Sequence, residues 1–246
     1  MALDPAALSA PALLAQARAD LRARAQPGDA PAMAAYLKAD PVTFLGVHAP
    51  ERRAVLLALP RELGRAPETL RAVVEGLWDG PAGGGPMREE RQLAVDLAAR
   101  FRAFVCLDQL DLFERMVREG AWWDLVDMVA TKLVGGVWRR ERATVGPLMD
   151  RWIEDEDLWI RRTALLGQLK HKQDADLDRL FSHCRATLHE RAFFIAKAIG
   201  WALREQAKTH PSAVQAFLAA EWGRLQPLSR REASRILVKQ GWRPPS

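Results

Sequence analysis

The stretch Trp122-Trp123-Asp124-Leu125-Val126-Asp127 opens an amphipathic segment and sets a period for the chain. Arg162 lies 39 positions after Trp123, and Trp201 lies 39 positions after Arg162, each in another amphipathic segment. Stacked helix pairs repeat near this length and place equivalent positions of successive repeats on one surface. The spacing therefore predicts a helical-repeat array in which these side chains share a concave groove.

The rest of the chain favours the all-α class. Apolar residues recur at helical spacing, as they do from Pro67 to Trp78, and no segment alternates as a strand would. We expect about twelve to fourteen helices joined by short connections. The last helix is predicted to begin at a Ser-x-x-Glu capping box formed by Ser229 and Glu232.

A single elongated domain is expected over residues 1–246, because a repeat array reaches this length without dividing. The Gly-rich segment 80–86 interrupts the helical pattern. It lacks the Gly-Lys-Ser/Thr ending of a phosphate-binding loop, and no buried strand precedes it. We interpret it as a flexible loop between helices.

Composition is that of a folded globular protein, with 49% hydrophobic and 27% charged residues. The net charge of +5 is unevenly distributed. Residues 1–120 carry 15 Lys and Arg against 16 Asp and Glu, whereas residues 121–246 carry 21 against 15. A basic second half suits a phosphate backbone, although such balances also occur in proteins without a nucleic-acid partner.

The sequence gives no indication of export or of a membrane span. The Ala-rich start has no basic region before an apolar core, and no apolar run is long enough to cross a bilayer. Cys106 and Cys184 are isolated, which fits a reducing compartment. We expect a cytoplasmic protein that associates with the nucleoid when it binds DNA.

No metal or cofactor is expected. The only cluster of metal-binding residue types, His183, Cys184 and His189, lacks the spacing of a zinc site. Neither a dinucleotide-binding glycine fingerprint, nor a nucleophile elbow, nor a kinase motif occurs in the sequence.

Trp123 and Asp127 are separated by one helical turn and share a helix face, whereas Asp124 points elsewhere. Two interpretations remain open. Trp123 is a core residue and Asp127 a solvated or capping acid, or the two belong to a site with Arg162 and Trp201. A carboxylate, two indoles and a guanidinium in one groove suit a cationic planar ligand on a phosphate chain, such as an alkylated base in DNA.

Two further features of the sequence need a structural explanation. Arg161 and Arg162 are adjacent on a helix and cannot point the same way, so one of them is expected to bridge to the acidic run 155–157. Gly200 precedes Trp201 in mid-helix, which costs about 1 kcal/mol of helix propensity relative to Ala. Close packing of a second helix is the favoured reason, and close approach of a ligand is the alternative.

Several long motifs resemble the AlkD family of DNA alkylation-repair glycosylases, and the resemblance covers nearly the whole chain. They are Trp122–Asp127, Leu133–Gly135, Asp157–Ala164, Gln168–Lys170, Phe193–Glu205, Pro227–Ala233, Phe44–Val47 and Pro50–Arg53.

The resemblance implies a curved solenoid of HEAT-like repeats whose concave basic face holds duplex DNA. It implies monofunctional excision of positively charged N3- and N7-alkylated purines, in base excision repair. A groove that must admit duplex DNA favours a monomer. The family's catalytic positions match Asp127, Trp123, Trp201 and Arg162, and its DNA-contacting positions match Tyr36, Lys170, Lys197 and Arg204.

The chemistry of these residue types agrees with that implication. An alkylated purine is already a good leaving group, so a carboxylate such as Asp127 would stabilise the developing oxocarbenium ion and orient water. Trp123 and Trp201 would flank the cationic nucleotide, and Arg162 would hold a phosphate. Two other classes stay open: a catalytically silent helical-repeat protein that binds damaged or branched DNA, and a solenoid that binds a protein partner.

Overall fold

The computed structural model describes residues 9–40 and 43–245 of the chain. Within these ranges the protein contains fourteen α-helices and no β-strand, which confirms the all-α fold class and the expected number of helices. The helices are α1 Ala10–Ala23, α2 Ala30–Leu37, α3 Ala49–Ala58, α4 Pro67–Asp79, α5 Arg88–Arg100, α6 Leu110–Gly120, α7 Trp123–Met128, α8 Gly135–Arg140, α9 Arg142–Trp152, α10 Leu158–Leu166, α11 Leu177–Thr187, α12 Phe193–Gln206, α13 Pro211–Glu221 and α14 Pro227–Lys239.

These helices form two compact units, one that ends at Val105 and one that begins at Cys106. In the first unit, α1 packs against α3 and α4, and α4 packs against α5. The Gly-rich segment connects α4 to α5 as an irregular loop, as expected. It leaves α4 at Gly80, whose φ of 82° is a conformation that glycine adopts without strain. No helix in the described residues is long and apolar enough to cross a membrane.

A buried carboxylate fixes the connection between α2 and α3 in the first unit. Glu89 is fully buried and accepts hydrogen bonds from the backbone N–H groups of Leu45, Gly46 and Val47, at 3.1, 2.9 and 3.1 Å. Gly46 has a φ of 79°, and a Cβ there would lie 2.0 Å from the carbonyl oxygen of Gln26. Only glycine fits that position, because both the space and the backbone conformation exclude a side chain.

The second unit repeats a helix pair about every 35 residues. The helices α7, α10, α12 and α14 begin at residues 123, 158, 193 and 227, and they pack against one another in that order. Between them, α9, α11 and α13 begin at residues 142, 177 and 211. The spacing of 39 residues between Trp123, Arg162 and Trp201 is therefore not the structural period. Each of these residues lies about one helical turn further along its helix than the one before.

The helix that begins at Trp123 is continuous to Arg140 but has a π-helical segment in its middle. Residues Val129–Val134 form the π-helical segment between α7 and α8. The hydroxyl of Thr131 donates to the carbonyl oxygen of Asp127 at 2.7 Å, at the junction of the two geometries. Such segments often occur at functional sites, because they change the direction in which side chains leave the helix.

The start of α14 differs from the sequence expectation. The helix begins at Pro227 with Gln226 as its N-cap, so Ser229 and Glu232 do not form a capping box. A proline in the first turn supplies the start, since that position needs no N–H donor. Ser229 is buried and donates instead to the carbonyl oxygen of Ala196 in α12, at 2.7 Å.

Gly200 allows α12 and α14 to approach each other closely. A Cβ at residue 200 would lie 2.6 Å from Cβ of Glu232, 3.2 Å from the carbonyl oxygen of Ser229 and 3.3 Å from its Cα. Two of these atoms belong to the backbone and the third is bonded to it, so none can move without a shift of the helix. The mid-helix glycine is therefore explained by helix packing.

We predict that Gly200→Ala destabilises the fold by about 1–3 kcal/mol, because overpacking outweighs the gain in helix propensity. Urea denaturation followed by circular dichroism measures the change. Gly223→Ala is the matched control, because a Cβ at residue 223 meets no atom within 4 Å. Equal stability of the two variants would contradict the packing argument.

Candidate active site

A buried ion pair joins the carboxylate of Asp127 in α7 to the guanidinium of Arg162 in α10. Nε of Arg162 donates to Oδ1 of Asp127 at 2.7 Å, and Nη2 donates to Oδ2 at 2.9 Å. The side chain of Arg162 is 3% exposed and that of Asp127 is 12% exposed. Two parallel charge-assisted bonds fix both the position and the plane of the carboxylate.

The pair leaves Asp127 both buried and able to accept further hydrogen bonds. Burial raises the pKa of Asp127 above its ordinary value, while the hydrogen bonds and the charge of Arg162 act in the opposite direction. An ionised carboxylate accepts about four hydrogen bonds, and Arg162 donates two of them. Acceptor capacity therefore remains on a carboxylate that is partly desolvated and strongly oriented.

Arg162 is held from its other side by the start of α12. Its Nη1 donates to the carbonyl oxygen of Phe194, and its Cζ lies 5.7 Å from the centre of the Phe194 ring. With its three nitrogens directed at protein acceptors and almost no exposed surface, Arg162 does not present its guanidinium to solvent. The geometry thus differs from the expected phosphate contact: Arg162 orients Asp127.

An aromatic cluster supports this arrangement. Trp122 precedes α7, Trp159 lies in the first turn of α10, and Phe194 lies in the first turn of α12. Their ring centres are 5.9 Å apart for the two tryptophans, 5.3 Å for Trp122 and Phe194, and 4.9 Å for Trp159 and Phe194. The cluster joins the starts of three successive repeats, close to the pair of Asp127 and Arg162.

Arg161 has the structural role that one of the two arginines was expected to have. Its Nη1 donates to the carbonyl oxygens of Asp155 and Glu156, in the acidic run. Its Nε and Nη2 donate to the carboxylate of Glu190 at 3.0 and 2.8 Å. Arg161 thereby ties the start of α10 to the segment that precedes α12.

A second ion-pair cluster lies between α12 and α14. Nζ of Lys197 lies 2.7 Å from Oε1 of Glu232, and Nη1 of Arg204 donates to Oε2 of the same carboxylate. The side chain of Glu232 is 12% exposed, against 36% for Lys197 and 22% for Arg204. Two expected DNA contacts are therefore bound to one carboxylate in this structure.

The two clusters occupy equivalent places in the repeat. Asp127, Arg162 and Lys197 are each the fifth residue of their helix, and Glu232 is the sixth residue of α14. The residues of each pair, Asp127 with Arg162 and Lys197 with Glu232, are separated by 35 positions. The second unit thus carries four charged residues at equivalent positions, one on each of α7, α10, α12 and α14. They form two ion pairs.

The tryptophans of the expected site lie beside these pairs. Trp123 is the first residue of α7, one turn before Asp127, and is half-buried. Trp201 is half-buried in α12, on the face that it shares with Lys197 and Arg204. The helix positions thus place one indole next to each ion-pair cluster.

The remaining expected DNA contacts are exposed. Lys170 lies in the turn after α10, and its pKa is lowered by partial burial and by the nearby charge of Lys132. Lys132 belongs to the π-helical segment that follows Asp127, so the two lysines form a cationic patch in the second unit. Tyr36 lies in α2 of the first unit and is 75% exposed.

Two buried histidines of the second unit make protein contacts. Nε2 of His171 lies 2.8 Å from the carbonyl oxygen of Gly135, and Nε2 of His183 lies 2.9 Å from Oδ1 of Asp150. Burial lowers the pKa of both imidazoles. In the described part of the chain, no three His, Cys, Asp or Glu side chains are grouped as metal ligands.

Sequence reasoning missed three residues of this region: Glu232, Phe194 and Lys132. Glu232 was assigned to a helix cap, although its distance of 35 residues from Lys197 repeats that between Asp127 and Arg162. A search at a period of 35 would have found it. Phe194 acts through its carbonyl group, and Lys132 is brought near Lys170 by the π-helical segment, so neither has a signal in the residue pattern.

Comparisons with known proteins identify the family to which the chain belongs. The sequence pattern of the family described as DNA alkylation repair enzyme matches residues 17–237. A solved structure described as a predicted DNA alkylation repair enzyme from Enterococcus faecalis is 30% identical, with a TM-score of 0.74, over 88% of this chain and 98% of that one. A search of curated proteins finds no match. The family match spans both units and confirms the resemblance found in the motifs, so the chain belongs to the AlkD-like family of DNA alkylation repair enzymes.

Proposed function

We propose that this protein is a monofunctional DNA glycosylase that hydrolyses the N-glycosidic bond of N3- and N7-alkylated purines in duplex DNA. The observation that supports this most directly is the oriented, partly buried carboxylate of Asp127. Family membership supports a role in repair of alkylated DNA, and the carboxylate supports hydrolysis as the reaction.

The proposed reaction uses the charge of the lesion. Alkylation at N3 or N7 makes the purine cationic, so the bond from C1′ to the base breaks with its electron pair moving to the purine, which leaves neutral. Positive charge then develops on the deoxyribose. Asp127, fixed by Arg162, stabilises that charge electrostatically in a site where partial desolvation strengthens the interaction.

Water completes the hydrolysis. A water molecule that donates a hydrogen bond to Asp127 adds to C1′ and loses its proton to the carboxylate or to solvent. The product is free base and an abasic sugar. No protein nucleophile forms a bond to the sugar, which is why the reaction is expected to be monofunctional.

The tryptophans and the cations supply binding. The indole faces of Trp123 and Trp201 favour a cationic base by about 0.5–2 kcal/mol. Lys170, with Lys132 beside it, contacts the DNA backbone, and Lys197, Arg204 and Tyr36 contribute further contacts. In this proposal Arg162 positions the carboxylate and does not touch the phosphates.

Release of free base from DNA that carries N7-methylguanine or N3-methyladenine tests the proposal directly. Release by the purified protein supports the glycosylase. DNA binding that falls with salt but without release would instead support the catalytically silent DNA-binding protein. Absence of both would support a solenoid that binds a protein partner.

We predict that Asp127→Asn lowers the single-turnover rate of base release by about 100-fold or more, because the amide lacks the charge that acts in the transition state. Affinity for lesion-containing duplex should remain nearly unchanged. Asp124→Asn is the matched control, since it removes the same charge from the same helix but leaves the carboxylate that Arg162 holds. A rate for Asp127→Asn equal to that of this control would refute the proposed role.

We predict that Arg162→Lys moves the acid limb of the pH–rate profile to higher pH. Base release requires ionised Asp127, so the rate falls as the pH drops through the pKa of its carboxyl, which burial holds above the ordinary value. Lysine cannot reproduce the paired hydrogen bonds that lower this pKa. Rates from mildly acidic to neutral pH, corrected with Asp127→Asn for spontaneous loss of base, measure the shift. An acid limb that stays in place or moves to lower pH would show that Arg162 does not control the protonation of Asp127.

We predict that Lys170→Gln weakens binding to lesion-containing and undamaged duplex to the same extent and lowers the salt slope of log K by about 0.9. Fluorescence anisotropy over a series of salt concentrations measures both effects. Arg185→Gln serves as the control. It removes the same charge from α11, which belongs to the set α9, α11 and α13 that does not carry the site residues. Identical salt slopes for the two variants would show that Lys170 does not contact the DNA backbone.

A further inference from the structure

Glu232 is a buried acid among residues that are expected to contact DNA. Its carboxylate accepts from both Lys197 and Arg204, which lie on the same face of α12 before and after Trp201. These cations hold the pKa of Glu232 below its ordinary value, so the carboxylate is ionised at neutral pH. An acid in this position neutralises part of the charge that DNA binding requires.

The packing of α14 leaves Glu232 little freedom to move away. Its Cβ would lie only 2.6 Å from a Cβ at Gly200, and the neighbouring turn of α14 is bonded to α12 through Ser229. The packing therefore fixes the Cβ of Glu232, and from this position its carboxylate bonds to Lys197 and Arg204. A DNA phosphate uses the same ammonium and guanidinium donors as a carboxylate does, so it competes with Glu232 for them.

We propose that Glu232 is an internal competitor of the DNA phosphates, which holds Lys197 and Arg204 in ion pairs and so limits the affinity of the protein for undamaged duplex. The inference rests on the proposed function in taking duplex DNA as the ligand and Lys197 and Arg204 as contacts to its phosphates. Limited affinity matters for a repair enzyme, because undamaged sites vastly outnumber lesions and compete for the protein.

The test is the affinity of Glu232→Gln for an undamaged, fluorescently labelled duplex, measured by anisotropy at several salt concentrations. One additional phosphate contact raises the binding constant about eightfold at 0.1 M salt and steepens the salt slope by about 0.9. We therefore expect an increase of about eightfold or more and a steeper slope. An unchanged or lower affinity would overturn the proposal.

A matched control separates this effect from a simple change in net charge. Glu221 on α13 also lies between two cations, with Oε1 2.7 Å from Nε of Arg185 and Oε2 2.8 Å from Nη1 of Arg224. Glu221→Gln thus makes the same chemical change in the other set of helices. Equal gains in affinity for the two variants would show that the change in net charge alone explains the effect, and this would overturn the proposal.

Two further variants complete the test. One keeps the proposal testable if Glu232→Gln does not fold, and the other shows whether Lys197 is a cation that the substitution releases. Glu232→Asp keeps the charge but is too short to reach both partners, and it should show a smaller gain in affinity. The double variant Glu232→Gln with Lys197→Gln should lose most of the gain. If Glu232→Gln does not fold, an affinity of Glu232→Asp equal to that of wild type overturns the proposal.

Failure of this inference and failure of the proposed function are distinguishable. Binding of undamaged duplex does not require excision, so the comparison of variants holds whether or not the wild type releases base. Base release with no gain in Glu232→Gln would refute the inference alone. A gain without base release in the wild type would support it and refute the glycosylase.

Discussion

The buried bond between Asp127 and Arg162 is the constraint on which the second unit of this protein depends. A carboxylate and a guanidinium removed from water are tolerated only when each satisfies the other, and loss of one partner typically costs about 3–5 kcal/mol. Further contacts surround this bond. The rings of Trp122, Trp159 and Phe194 pack together, and the carbonyl oxygen of Phe194 accepts from Arg162. Replacement of such a pair by apolar residues is often neutral for stability, so its presence agrees with the catalytic role proposed for Asp127.

Much of the fold and part of the site could be predicted from the sequence. Helical spacing of apolar residues gave the all-α class, and the loop at 80–86 was visible from its glycines and prolines. The pairing of Trp123 with Asp127 on one face followed from their spacing of four residues. The motifs identified the family, because they are long enough to be specific without any knowledge of contacts.

The period and the roles of the arginines could not be obtained in this way. Trp123, Arg162 and Trp201 are regularly spaced but lie at successively later turns of their helices, so their spacing exceeds the repeat by one turn. Whether Arg162 faces a phosphate or a carboxylate depends on what α7 presents to it. That requires the register between helices, which residue types alone do not reveal. The assignment of Glu232 to a helix cap failed for a different, local reason: a proline two residues before Ser229 starts the helix earlier.

The contact between Gly200 and Glu232 also ties together positions that are far apart in the sequence. A side chain at residue 200 would displace α14, and with it the carboxylate that Lys197 and Arg204 share. The effect of a substitution at any of these four positions then depends on the residues at the other three. In evolutionary terms they form an epistatic unit: relatives that replace Gly200 should also differ at residue 232 or at its two basic partners.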